Sequence, residues 1–181
     1  MILAFLPAAF LGAVFGDALK EKLFGPVPVA IAWCVGGVVL LVWKQKHGTT
    51  ALTNLSLRNA LIIGLAQGLA LWPGVSRSLV TLIAALALGL SMSAALEFSF
   101  LLGLLTLSAA TFFDLSKHGS ELVDQFGLLA PSVGFVCAFI TALVAVKWMV
   151  AYLADHSLRM FGWYRLGAGA VTGILLLTNV L

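Results

Sequence analysis

Charge is scarce in this chain. Lys and Arg number 10 and Asp and Glu 7 among 181 residues, 9% of the total, where a soluble domain carries about a quarter. So few charges cannot cover the surface of a fold whose composition is 62% apolar, which excludes an ordinary water-soluble globule. Cysteine is nearly absent too. Cys34 and Cys137 lie inside apolar runs with no metal-ligand spacing. A disulfide scaffold and a thiolate metal centre are thereby excluded, and both residues read as small buried hydrophobes. The net charge of +3 comes from basic residues in short clusters between apolar runs. That is a membrane-topology pattern, not a nucleic-acid surface. Met1 leads straight into Ile-Leu-Ala-Phe-Leu without a basic n-region, so no cleavable signal peptide is expected. Linkers, low-complexity tracts, internal repeats and a second domain are also lacking.

Long apolar runs are what the chain has instead. A spanning helix needs about 20 mainly apolar residues. Met1–Phe15 is slightly short and carries Pro7, and Asp17, Lys20, Glu21 and Lys22 mark an aqueous turn after it. Val27–Trp43 follows, then a loop with Lys44, Lys46 and His47. Ala94–Phe113, Leu128–Leu153 and Trp163–Leu181 complete the set, with Lys117, His118, Glu121, Asp124, Asp155, His156 and Arg159 in the loops between them. Trp43, Trp148, Tyr152, Trp163 and Tyr164 fall near run ends, as an aromatic belt does. The runs predict an all-α membrane protein, a polytopic helical bundle of about five transmembrane helices. One transmembrane domain spans residues 1–181.

The stretch between the second and third full runs differs. Asn59–Trp72 and Leu79–Leu90 are each too short to cross about 30 Å at 1.5 Å per residue. Pro73-Gly74-Val75-Ser76-Arg77-Ser78 separates them. Length favours a re-entrant hairpin over about 57–90 against a single broken helix from Ile62 to Leu82. Irregular backbone at membrane depth must then be surrounded by protein or a wet cavity. With the hairpin re-entrant, Lys44, Lys46, Arg58 and Arg159 share one side, with Lys147 and Arg165 close by, against Lys20, Lys22 and Lys117 on the other. The positive-inside rule puts the first group in the cytoplasm and the C-terminus outside.

The same separator carries the chemistry. Gly74 permits a tight turn, and Ser76 or Ser78 can cap the helix that starts near Leu79. The unpaired first-turn N–H groups of that helix attract anions. Arg77 adds a planar fork suited to phosphate oxygens. Thr81, four residues after Arg77, can face the same side. A phosphate cradle is one reading. The other is a capped helix start with Arg77 reaching to headgroups. An intramembrane arginine is costly without a partner, which favours the cradle.

This segment resembles the undecaprenyl-diphosphate phosphatase family, the bacitracin-resistance phosphatases. Their second signature reads roughly Q-x-x-A-x-x-P-G-x-S-R-S-G-x-T, matched by Gln67, Ala70, Pro73, Gly74, Ser76, Arg77, Ser78 and Thr81. Glu97-Phe98-Ser99-Phe100-Leu101-Leu102, Asp114-Leu115, Tyr164-Arg165, Leu6-Pro7-Ala8 and Gly36-Gly37 extend the likeness along the chain. Leu79 stands where the family has glycine, Leu105 where it has proline, and Ala109 where it has glycine. The family's earlier signature, E-G-x-T-E-F-L-P-V-S-S-T-G-H, is not found in these residues. They therefore look like the family's C-terminal two-thirds, with the second of two re-entrant hairpins.

The resemblance implies removal of the terminal phosphate of undecaprenyl diphosphate, giving the monophosphate lipid carrier of cell-wall synthesis, in the bacterial inner (plasma) membrane. It implies a divalent cation, Mg or Ca, whose ligands are not found here. The implied partners are the polyprenyl diphosphate lipid, the bilayer and a second copy in a homodimer. Arg77 would clamp the diphosphate, and Ser76 is the candidate nucleophile or phosphate donor. Gly74, Ser78, Thr81 and Gln67 would bind substrate, with Glu97 and Arg165 as supporting residues. Glu97 also has a structural reading, in the first turn of a helix capped by Ser93. Asp114 reads as a solvated pair with Lys117, and Lys147 as a snorkelling cation. Arg165 either snorkels or holds lipid phosphate. His47, His118 and His156, all in loops, are weak candidates for a base. A non-catalytic membrane carrier or lipid-phosphate-binding protein of the same fold is the alternative function, since half-helices meeting at mid-membrane also mark transporters.

Overall fold

The computed structural model describes residues 1–43 and 48–178. Lys44, Lys46 and His47, assigned above to a loop, lie outside the described residues. Among the described residues the regular structure is helical, without a named strand. In order come α1 (Ile2–Leu23), α2 (Pro26–Val42), a 3-10 turn (Leu52–Asn54), α3 (Leu57–Gln67), a second 3-10 turn (Gly68–Leu71), α4 (Arg77–Ala87), α5 (Met92–Phe126), α6 (Leu129–Asp155) and α7 (Arg159–Leu177). Of these, α5, α6 and α7 contain stretches long and apolar enough to cross a membrane, and α1 to α4 contribute shorter apolar stretches. The chain is an all-α membrane protein.

Several helix boundaries differ from the sequence reading: α7 starts at Arg159 rather than Trp163, and the two longest extensions share one reason. The helix α1 continues through Asp17–Lys22 to Leu23, and α5 runs on past Phe113 to Phe126, so Asp114, Lys117, His118, Glu121 and Asp124 are helical rather than in a loop. Hydropathy marks where a chain leaves an apolar medium. It does not by itself end a helix, and no proline stands in either stretch to break one. The Lys117 ammonium lies 4.3 Å from the Phe113 ring centroid, a cation–π contact in place of the expected pairing with Asp114. The other end of α5 also differs. Ser91, not Ser93, caps it through the Ala94 amide (3.3 Å), which moves Glu97 out of the first turn.

The chain divides into two compact units, Met1–Gly103 with the segment from Ser157 onward, and Leu104–His156. In the first unit, small residues let helices approach closely. A Cβ on Gly37 would come within 2.9 Å of the Gly162 carbonyl, and one on Gly169 within 2.6 Å of the Cys34 sulfur. These contacts seat α7 on α2, by the small-residue packing usual where hydrocarbon offers no hydrophobic drive between helices. Gly64 likewise admits the backbone of Ala4, bringing α1 onto α3. Ala4, Leu40, Ile63, Ala85, Leu86, Phe98 and Leu102 form the buried core.

In the second unit, α6 follows the turn at Gly127, whose φ of +66° suits glycine. Phe135, Phe139, Ile140 and Val144 are more than half exposed on α6, a helix long and apolar enough to cross a membrane. Cys137 is exposed there as well, against the expectation of burial. Trp148, Tyr152 and His156 stack one turn apart along the last part of α6.

Candidate functional site

The helices α3 and α4 pack against each other as a hairpin, not as one broken helix. Ser56 caps α3 by accepting from the Asn59 amide (3.2 Å). After Gln67 the chain tightens into the second 3-10 turn and reverses through Trp72-Pro73-Gly74-Val75. Gly74 has φ +89°, where a Cβ would meet the Val29 carbonyl at 2.9 Å and the Ala32 side chain at 3.1 Å. Glycine is required there by conformation and by space. The Trp72 indole N–H donates to the Pro28 carbonyl at 3.2 Å, and the hairpin tip is thus seated on the start of α2. At its base α4 ends in a Schellman motif, with Leu90 N–H donating to Ala85 O and Gly89 N–H to Leu86 O. Thr50 pairs there with Gly89 and Ser91.

Ser76 is the residue that caps α4. Its hydroxyl accepts from the Leu79 amide at 3.4 Å, and its carbonyl accepts from Val80 at 3.0 Å. The helix therefore starts at Arg77, two residues earlier than the apolar run suggests, and Ser78 falls in the first turn. A helix start of this form leaves the Arg77 and Ser78 amides to outside acceptors. Ser76, Arg77 and Ser78 are all partly exposed. Arg77 Nη1 donates to the Gly103 carbonyl of α5 at 3.0 Å, and a Cβ on Gly103 would sit 3.0 Å from Arg77 Nη2. One edge of the guanidinium is spent on α5, which leaves the remaining donors of its fork for a ligand.

Thr81 does not face outward with this set. It is 1% exposed, and its hydroxyl lies 2.6 Å from that of Ser99 and within reach of the Arg77 and Ser78 carbonyls (3.0 and 3.1 Å). Ser99 also donates to the Ser78 carbonyl at 3.1 Å. The two hydroxyls form a buried clasp between α4 and α5 behind the Arg77 turn. Ser99 is a site-supporting residue that sequence reasoning missed. Its signal was the spacing on α5 that puts Ser99 and Gly103 on one face. Gln67, the last residue of α3, is buried, away from any exposed surface of the tip. Glu97 is exposed while Leu96, Phe98 and Ser99 are buried. Its side chain thus points away from the face of α5 that meets Arg77, and it is not brought to the site.

Arg165, 91 positions from Gly74, is brought to the tip. Its Nη2 donates to the Gly74 carbonyl at 2.7 Å and the Ala32 carbonyl at 3.1 Å. Beside it lies a cavity of about 400 Å³ between α2, α4 and the tip. Ile31, Val35, Leu79, Val80 and Ile83 make its walls apolar, and Ser76 and Arg165 are its polar groups. Among the described residues no group of three or more His, Cys, Asp or Glu stands together. The described residues therefore offer no cluster that could hold a divalent cation by itself.

Fold and site define a polytopic helical membrane protein whose glycine-turned hairpin presents a capped helix N-terminus and an arginine. The family of the bacitracin resistance protein BacA matches residues 1–171, and the chain belongs to that family. It is 44% identical over 176 residues to undecaprenyl-diphosphatase 1 of Chromobacterium violaceum, covering 94% of this chain and 64% of that protein. It is 47% identical to undecaprenyl-diphosphatase 2 of Rhodospirillum rubrum (94% and 63%) and 45% identical to the undecaprenyl-diphosphatase of Nitrosomonas europaea (94% and 63%). The chain spans a little under two thirds of the length of these relatives.

Proposed function

We propose that this chain is part of a membrane phosphatase that removes the terminal phosphate of undecaprenyl diphosphate, with the hairpin tip as the diphosphate-binding half of its site. One observation carries the reading. Ser76 caps α4 beside Arg77, so a helix N-terminus, a hydroxyl and a guanidinium are gathered at one turn. Phosphoryl transfer calls for positioning and neutralisation of oxygen charge more than for covalent chemistry. The open amides of Arg77 and Ser78 bind phosphate oxygens along the helix axis. Arg77 clamps the diphosphate with the donors not spent on Gly103. The Ser76 O–H proton is not used by its capping bond, so the hydroxyl donates to a phosphate oxygen; as a nucleophile it would instead give that proton to a base, form the Ser76 O–P bond as the bond to the undecaprenyl monophosphate leaving group breaks, and be freed when water hydrolyses the phosphoserine. Thr81, proposed from sequence to touch substrate, instead holds the turn in place. The divalent cation expected from the resemblance would draw its ligands from outside the described residues.

The architecture proposed with this function is one transmembrane domain over residues 1–181, with α1, α2, α5, α6 and α7 as five spans. The hairpin at about 57–90 enters the membrane without crossing it. The proposed location is the bacterial inner membrane, and the proposed partners are the polyprenyl diphosphate lipid and a second copy of the chain. Replacing the matching 176 residues of the Rhodospirillum rubrum relative with this chain gives a direct test. The hybrid is expected to release phosphate from undecaprenyl diphosphate. A folded, membrane-inserted hybrid without phosphate release would contradict the proposal.

A further inference from the structure

We propose that Arg165 is a positioning residue for the diphosphate site, a brace that fixes the hairpin tip against α2 and α7. The inference deepens the proposed function and rests on it for the ligand. From sequence, the obvious roles for an arginine in the last helix are snorkelling and direct phosphate binding. The geometry points elsewhere. The two N–H bonds of Nη2 are committed to two backbone carbonyls, Gly74 O at 2.7 Å and Ala32 O at 3.1 Å. Gly74 stands two residues before the capping Ser76, so its carbonyl sets where the capped turn points. Ala32 lies in the middle of α2, and Arg165 itself in α7. One side chain thereby ties three elements together at the tip.

The surroundings are shaped for that guanidinium. Gly36 lies against its flat face, and a Cβ there would come within 2.7 Å of Nη2, 2.8 Å of Nε and 3.0 Å of Cζ. Nε is buried without a hydrogen-bond partner, a cost that the two carbonyl bonds offset. Gly74 is fixed from the other side by Val29 and Ala32, and the Trp72 indole adds a second tie to α2. Arg77 is not among the residues lining the cavity beside Arg165; it is held on α5 instead. The two arginines therefore brace different elements, Arg165 the tip on α2 and Arg77 the capped turn on α5. Lysine at 165 keeps the charge but loses the planar fork that reaches both carbonyls while lying flat on Gly36.

The test uses the 181-residue chain in detergent, with hydrogen exchange of residues 72–80 read by mass spectrometry. Affinity for a non-hydrolysable farnesyl methylenediphosphonate is read in parallel. Arg165→Lys and Gly36→Ala are both expected to raise tip exchange at least about tenfold, the scale of a lost charge-assisted hydrogen bond, and to weaken the probe by a similar factor. Combined, they should do little more than either alone. Exchange in α1 and α3 should not change. Gly173→Ala, where an added Cβ meets nothing within 4 Å, should behave as wild type. Weaker probe binding in Arg165→Lys with unchanged tip exchange would overturn the brace in favour of a direct ligand contact. Unchanged exchange in both variants would overturn it outright. A wild-type chain that binds no probe would count against the proposed function, and the exchange comparison would still decide the brace.

Discussion

Removing the hydroxyl clasp between α4 and α5 should cost stability before it costs ligand affinity. Thr81 and Ser99 are 1% and 5% exposed, and their hydroxyls meet at 2.6 Å. In Ser99→Ala, Thr81 keeps the Arg77 and Ser78 carbonyls as acceptors. In Thr81→Val, Ser99 keeps the Ser78 carbonyl. Neither variant strands a buried donor, so the larger penalty for an unsatisfied group does not apply. Interhelical hydrogen bonds in apolar surroundings are worth about 0.6 kcal/mol on average and about 1.7 at most. Each single variant is therefore expected to destabilise by about 1 kcal/mol. The double variant should fall short of the sum by about 0.6 kcal/mol, the coupling carried by the shared contact. Equilibrium unfolding in mixed micelles gives the four stabilities, and titration with the farnesyl diphosphonate gives the four affinities. Affinities should change by less than about threefold, since the lost energy lies behind the turn and not on the ligand. Additivity within about 0.3 kcal/mol would show that the Thr81–Ser99 contact contributes nothing. An affinity loss at unchanged stability would return Thr81 to the ligand face.

Three further outcomes follow from the same geometry. Arg77→Lys in the active hybrid should lower phosphate release at saturating substrate by at least about tenfold, roughly 1.4 kcal/mol, because the charge survives but the fork does not; unchanged turnover would remove Arg77 as the clamp. Gly103→Ala brings a Cβ to 3.0 Å from Arg77 Nη2, tight enough to push the guanidinium off its seat on α5, so analogue affinity should fall about fivefold while α5 gains up to about 1 kcal/mol of helix stability, measured by titration and thermal unfolding. In membranes, Val75→Cys at the tip should resist an impermeant thiol reagent from the cytoplasmic face, and labelling as fast as an exposed loop would end the re-entrant proposal.

Much of this protein was legible because a membrane simplifies the reading. The apolar runs found α5, α6 and α7, and the break at Pro73-Gly74 found the hairpin. The turn at Gly74 and the cap at Ser76 were legible because both are local properties carried by single residue types. The helix ends were harder to read. The charged residues from Asp114 to Asp124 look like a loop to hydropathy, yet α5 continues through them, because hydropathy records the medium and not the helix. Thr81 shows another limit. Its spacing correctly put it on the Arg77 side of α4, but only packing reveals that this side meets α5, where carbonyls and Ser99 take up its hydroxyl. Arg165 is named from sequence only through the family resemblance, and its contacts are not legible there. Its partners Gly74 and Ala32 lie 91 and 133 positions away, and no local pattern records such a contact. Glu97 looked functional because carboxylates are rare in apolar helices. Its exposure, with Leu96 and Phe98 buried on either side, is a consequence of which face of α5 turns inward.

Whether the tip of this hairpin binds a diphosphate is decided by a single titration. The purified 181-residue chain is titrated in detergent with farnesyl methylenediphosphonate and, separately, with farnesol, before and after Arg77→Ala. The wild-type chain should bind the diphosphonate at least about tenfold more tightly than the alcohol, the scale of one charge-assisted contact, and Arg77→Ala should erase that preference. Equal affinity for the diphosphonate and the alcohol, or a preference that survives Arg77→Ala in a folded chain, would contradict diphosphate binding at the tip.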